Sequence, residues 1–390
     1  MDESCASFRS STFTAPTARV IAFYLPQFHP IPENDRFWGA GFTEWTNVAK
    51  AKPLFRGHVQ PRLPRELGFY DLRLPIIREQ QAELALSNGI EGFCYWHYWL
   101  GGGRRVLERP FQEVLESGTP KMPFSLAWAN HSWTGVWSGS PNKILLEQTY
   151  PGQQDEVDHF NWAIRAFEDQ RYQRVEGKPI FFVFAPHELP NATAFIEHWR
   201  ELAIKSGLPG IFFVGFADRR DEAGRYTTKA LQSFDAVVPH PPHDYIRDRN
   251  RSVTGKLSKL ILSRDFRKII PHEFFGRSRR PMRYRYSQAV RTAFHDLPQG
   301  DRFLPCIMPG WDNTPRSGVD GVVFENATPD LFAEYLEKAI RIVNANPPDR
   351  RIVFVKAWNE WAEGNILEPD NSNGIAYLEV IRRVVRSGCP

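Results

Sequence analysis

RIVFVKAWNEWAEG (351–364) holds an apolar run and a polar, aromatic cluster back to back. Its first eight residues, RIVFVKAW (351–358), are nearly continuous in apolar character, which marks a strand covered on both faces, as in a parallel sheet. Seven upstream runs share that character: RVIAFYL (19–25), IEGFCYWHYW (90–99), MPFSLAWAN (122–130), PIFFVFAP (179–186), GIFFVGFAD (210–218), FDAVVPH (234–240) and RFLPCIMPGW (302–311). Between them lie segments with apolar residues at three- and four-residue spacing, LPIIREQQAELALSNG (74–89), EVDHFNWAIRAFEDQ (156–170), TAFIEHWRELAIKSG (193–207) and TPDLFAEYLEKAIRIVNAN (328–346), which read as amphipathic helices. Thr328 and Asp330 are candidate N-terminal caps, and Gly89 and Gly207 candidate stops. Eight strand and helix alternations predict an α/β fold of the (β/α)8, or TIM barrel, type, with long loops after strands 1 (26–73) and 6 (241–301). Residues 1–17, rich in Ser and Thr, read as a disordered lead-in, and 18–390 as a single barrel domain. No GxGxxG follows the first strand, which removes the usual nucleotide-binding fingerprint.

Composition is that of a chain able to bury a sizeable core, with 42% apolar and 24% charged residues. The 12 Trp, 29 Phe and 12 Tyr stand out because many neighbour Gly, Asn, His or Glu instead of sitting inside apolar runs. Such rings suit the apolar face of a sugar, while exposed aromatics equally mark protein interfaces. Cys5, Cys94, Cys306 and Cys389 are widely separated, so neither a disulfide framework nor a zinc site is indicated. The acidic, apolar-poor N-terminus does not read as a signal peptide, and no apolar stretch approaches the ~20 residues of a membrane span, so the expectation is a cytoplasmic protein with no transmembrane segment. Within 247–285, thirteen Lys/Arg stand against three Asp/Glu. This is either a solvated basic face or a patch for an acidic or lipid-linked glycan; nothing there resembles a nucleic-acid-reading motif, and no nucleic-acid partner is expected.

In a barrel of this kind the reactive groups come from the C-terminal ends of the strands. Those positions supply Tyr24, Gln27 and His29 after strand 1; Tyr95, His97 and Tyr98 in strand 2; Trp128, Asn130 and His131 after strand 3; Trp311 and Asp312 after strand 7; and Asn359, Glu360, Trp361 and Glu363 after strand 8. Trp45 and Glu44, in GFTEWTNV of the first long loop, join the candidates, although Glu44 could equally cap a turn. A helical turn would put Glu360 and Glu363, three residues apart, on one side, where close approach and shielding by Trp358 and Trp361 raise one pKa and retain a proton. Glycoside cleavage needs such a pair, one carboxyl protonated and one ionised. A glutamate that only caps a helix or pairs with an arginine is the competing reading. The histidines could orient sugar hydroxyls or simply be hydrogen-bonded wall residues. PHPPHDY (239–245) offers two histidines and an aspartate without a shared face, so no metal and no cofactor are expected.

Taken together, FWGAGFTEWTNVAKAKPLFRGHVQPRLPRELGFYDLR, GIEGFCYWHYW, LAWANHSW and WNEWAEGNILEPD resemble the WbsX-type family of polysaccharide-locus proteins, over residues 19–385. That family is often labelled glycosyltransferase and is similar to glycoside hydrolase family 99, the endo-α-mannosidase and endo-α-mannanase barrels. The resemblance implies a polysaccharide or O-antigen-type oligosaccharide substrate, a retaining mechanism and no metal. It also implies roles: Glu363 as general acid and then base, and Glu360 as the base that removes the proton of the substrate's 2-hydroxyl to give a 1,2-anhydro intermediate. The third-strand motif departs from the family's usual W-A-N-E-x-W and following arginine, because WANHSWTGVWSG places His131 and Gly135 there.

Overall fold

The computed structural model describes residues 17–135, 140–217, 226, 229–251 and 280–387. Eight parallel strands, β1 (Arg19–Tyr24), β2 (Gly92–Trp99), β3 (Phe124–Trp128), β4 (Lys178–Val183), β5 (Phe212–Phe216), β6 (Ala236–Val238), β7 (Cys306–Ile307) and β8 (Ile352–Val355), stand side by side in chain order. Each coincides with one of the apolar runs. β8 pairs back onto β1, with Arg19 opposite Ile352. The remaining gap, between β6 and β7, closes through a parallel bridge of Val237 with Phe303 and the Leu304 N–H bond to the Val237 carbonyl, 3.0 Å. The result is the (β/α)8 barrel that the sequence predicts.

The helices that clothe the outside include α1 (Pro75–Ser87), α2 (Gln153–Phe167), α3 (Ala192–Lys205), α4 (Pro329–Val343) and α5 (Ala376–Ser387). The Thr328 side chain caps α4 by accepting from the Leu331 N–H, whereas Asp330 lies within the first turn. Gly89 and Gly207 take positive φ just beyond α1 and α3, as stops should. Fully buried Trp199 on α3 packs against Phe181 of β4 and Phe213 of β5 (ring centroids 4.8 and 6.3 Å), so strand and helix share one apolar layer.

Strand alternation sorts the aromatics into two sets. Phe23, Trp96, Phe182, Phe216 and Phe354 meet inside the barrel, Phe23 lying 4.8 Å from Trp96, 5.0 Å from Phe182 and 5.7 Å from Phe354. Their neighbours along the same strands face the helices. This aromatic plug floors the barrel beneath its C-terminal mouth. At the start of β2 a Cβ on Gly92 would lie 2.4 Å from the Pro123 carbonyl oxygen, so only glycine permits β2 and β3 to approach there. The loop after β1 forms two short helices, Pro32–Trp38 and Glu44–Lys50. In the loop after β6, residues 252–279 lie outside the described residues, and with them most of the basic stretch; residues 1–16 of the lead-in do so as well. Thr17 is held, its N–H bonding the Val385 carbonyl. Among the described residues, no helix is long and apolar enough to cross a membrane.

Candidate active site

After β8 the chain makes a short hairpin, Asn359–Glu360 pairing antiparallel with Asn365–Ile366, and its tip is one 3-10 turn, Trp361–Glu363. Residues three apart eclipse in such a turn, so Glu360 and Glu363 leave it on the same side. Gly364 ends the turn at φ +66°, where an added Cβ would also approach the Asp312 nitrogen to 2.9 Å. The Asp312 N–H in turn donates to the Glu363 carbonyl at 2.7 Å. Asn359 behaves as a side-chain peptide group: it accepts from the Leu25 N–H (2.7 Å) and donates to the Leu25 carbonyl (3.0 Å), splicing this turn to the end of β1. From behind, buried Glu368 accepts from Trp361 Nε1 (2.6 Å), Tyr70 Oη (2.9 Å) and Gln81 Nε2 (2.6 Å).

Arg316, from the loop after β7, joins three carboxylates. Its Nε donates to Glu44 at 2.7 Å, Nη1 to Glu363 at 2.5 Å and Nη2 to Glu360 at 3.2 Å. Lys356 Nζ, just past β8, adds a second cation 3.4 Å from Glu363 and 4.9 Å above the Trp311 ring. Three carboxylates against two cations leave one negative charge uncompensated, and a buried cluster answers that by holding a proton. Burial, then the charge of Glu363, pushes Glu360 up to about 7. Burial acts on Glu363 in the same direction, but Lys356 and Arg316 outweigh it and hold that carboxyl below the ordinary range. Glu44, fully buried, is raised by burial against the pull of Arg316. Burial thus favours the protonated form at Glu360 while Lys356 and Arg316 favour the ionised form at Glu363, the reverse of the order that the family resemblance implies.

Both glutamates line a cavity of about 300 Å³ at the barrel mouth. Of the residues singled out in the sequence, Gln27, Tyr98 and His131 line it too. Tyr24, Tyr95, His97 and Trp128 do not line the cavity, because strand alternation turns them outward into the helix layer. Tyr24 Oη donates to Gln81 on α1 (2.7 Å), and Tyr95 packs on Phe111. His97 meets His159 of α2, Nε2 to Nε2 at 2.7 Å, with burial pushing its pKa down to about 3. Trp128 Nε1 donates to the Trp99 carbonyl. A further group lies around the site without lining the cavity. His29 contacts the Pro26 carbonyl at 3.1 Å within its own turn. Trp45 donates to the Tyr70 carbonyl. Asn130 brackets Ala185 through both its amide atoms. Asp312 accepts from Gln60 and from His58 (both 2.7 Å), the latter with Nδ1 already accepting from Leu54 N–H and so Nε2 carrying the proton. Trp311 supports Lys356, and Asn359 and Trp361 support the turn that carries Glu360 and Glu363.

Sequence reasoning missed Arg316, Lys356, Trp96 and Trp38, all of which line the cavity. Lys356 left a readable signal, a lone charge inside RIVFVKAW that burial would force to find a partner. Trp96 alternates with Tyr95 and His97 and shares a face with Tyr98, a parity that becomes informative once the phase of the strand is fixed. Arg316 sits in a short polar loop with no local pattern to set it apart.

Fold and site together define a (β/α)8 barrel with a buried glutamate pair at its mouth. The chain belongs to the WbsX glycosyltransferase family, whose pattern matches residues 20–381. It is 36% identical over 378 residues to the uncharacterized protein WxcX of Xanthomonas campestris pv. campestris, and similarly over 375 residues to that of a second strain. These matches cover 94% of this chain and 50% of the relatives, so the chain spans about half the length of the curated proteins it matches. Among solved structures it is similar to a glycoside hydrolase-like protein (TM-score 0.55, 16% identity, 98% of each chain). It is also similar to the GH99 endo-alpha-mannosidase of Bacteroides thetaiotaomicron (TM-score 0.50, 13% identity, 95% of this chain and 96% of that one). At these identities the likeness is one of fold.

Proposed function

We propose that the chain is a retaining glycoside hydrolase or transglycosylase acting on a bacterial polysaccharide or O-antigen-type glycan, with Glu360 and Glu363 as its catalytic pair. The observation that carries this reading is one guanidinium, Arg316, contacting both glutamates at the wall of a cavity at the barrel mouth. Two carboxyls sharing one proton supply what glycosidic bond cleavage requires: a donor for the departing oxygen and a base for the sugar. In the roles implied by resemblance Glu363 donates and Glu360 removes the 2-hydroxyl proton, so the reading includes passage of the resting proton from Glu360 to Glu363 when substrate enters. Tyr98, which lines the same cavity and senses the charge of Glu360, stands beside the pair.

Transfer to a sugar hydroxyl, the second reading, is favoured by the family to which the chain belongs; it differs from hydrolysis in what accepts the glycosyl group, not in the need for the pair. The deciding experiment compares Glu360→Gln and Glu363→Gln on an aryl glycoside, whose leaving group needs no acid, and on the unactivated glycan. The variant lacking the general acid keeps the aryl glycoside and loses the glycan; on this proposal that is Glu363→Gln. Full turnover of the glycan by either variant would sink the assignment, and glycan binding with no turnover by the unaltered chain would make this a carbohydrate-binding barrel instead.

A further inference from the structure

The cavity has two unlike walls. One is charged: Arg316, Lys356, Glu360 and Glu363. The other, formed by β2 and by the stretches that follow β1, β3 and β4, carries no charged side chain among its described lining residues. Its residues include Trp133, Leu145 and Phe184 together with Trp96, Gln27 and His131, whose Nε1, Nε2 and Nδ1 atoms are buried and have no hydrogen-bond partner within the chain. Burial keeps the His131 imidazole neutral, its pKa pushed down to about 4. A buried donor left unpaired costs about 1–3 kcal/mol, so the two donors of Trp96 and Gln27 call for an acceptor supplied from outside the chain, to which His131 adds a third N–H in its Nδ1–H tautomer.

The chemistry of that acceptor follows from what the wall contains. Trp96 Nε1 and Gln27 Nε2 can only donate, whereas a hydroxyl-rich sugar face brings a donor with every acceptor. A carboxylate would take the donors but would be left against Trp133, Leu145 and Phe184 with no cation of its own on that side. A carbonyl oxygen carrying a methyl group satisfies both features, the oxygen meeting the N–H groups and the methyl the apolar side chains. We propose that this wall is a subsite for an acylated sugar residue, foremost an acetamido sugar, with Trp96, Gln27 and His131 as its specificity-determining residues. The inference rests on the glycan-active reading above and adds the substrate class. It also gives His131 a purpose, since the carboxylate that the family resemblance places at this position would repel a carbonyl oxygen.

The test is saturation-transfer NMR on the full chain with the methyl glycosides of N-acetylglucosamine, N-acetylgalactosamine and N-acetylmannosamine. Each is compared with its parent hexose, and a 6-O-acetyl hexose separates ester from amide carbonyls. The acetyl methyl protons are expected to receive the strongest saturation, with the parent hexoses binding roughly tenfold more weakly. Trp96→Phe keeps a ring beside Phe23 but removes the N–H, and should erase that preference without weakening the parent hexose. Equal binding of acylated and parent sugars, or a preference untouched by Trp96→Phe, overturns the subsite while leaving the glycan reading intact. No binding by any sugar overturns both.

Discussion

One buried proton in the Glu360 and Glu363 pair sets the pH response expected of the site. Because Glu360 is raised to about 7, the pair holds its proton only below that pH, and turnover is expected to fall as pH rises through about 7. Glu44 contributes a like charge that raises Glu360, so Glu44→Gln should move this alkaline limb to lower pH; a limb that stays in place or moves up contradicts the cluster as described. Arg316 is the group that makes three buried carboxylates tolerable. Its replacement by Gln leaves charges without a partner and is expected to destabilise the fold by about 3–5 kcal/mol, read from denaturant titration. His97 is the contrasting case. His97→Gln should leave glycan affinity unchanged, since the side chain faces α2, while costing about 1–3 kcal/mol of stability through the partner lost to buried His159.

The elements show why some of this was legible in sequence and some was not. All eight strands announced themselves because both of their faces are covered, which writes a run of apolar residues that no loop needs. The same property hid the facing of individual side chains: when inner and outer positions are equally apolar, IEGFCYWHYW shows no alternation of polarity, and Tyr95 and His97 look as available as Tyr98. Counting parity outward from Trp96 resolves it, but only once the strand's phase is fixed by its neighbours. Glu360 and Glu363 were readable because their spacing survives in any helical turn. Arg316 was not, since what brings it to them is the closure of β7 against β8, a long-range event with no local signature. The turn that carries the pair has its own requirement, glycine at 364. Gly364→Ala, with its side chain forced against Asp312 in a left-handed conformation, is expected to abolish glycan turnover while circular dichroism still reports a folded barrel.

At the scale of the whole molecule the buried carboxyls couple function to stability. Glu360 and Glu368 both rise from an ordinary value of 4.5 to about 7 in the folded chain, principally through burial. Between those values the folded state binds protons that the unfolded state has released. The stability these groups contribute is therefore complete below about 4.5 and is lost as pH rises through about 7. Unfolding free energy should decline across that window by an amount on the order of a few kcal/mol, and Glu368→Gln should flatten part of the slope. On the proposed function, this loss of stability at neutral pH accompanies a proton kept at the cavity.

The most direct measurement follows the anomeric signals by proton NMR as the chain acts on exported polysaccharide from its source cells, with Glu360→Gln and Glu363→Gln run alongside. The account predicts a first product with the configuration of the bond that was broken, and no such product from the glycan with either variant. Inversion at the anomeric carbon, or undiminished cleavage by a chain lacking one of the two carboxyls, would contradict it.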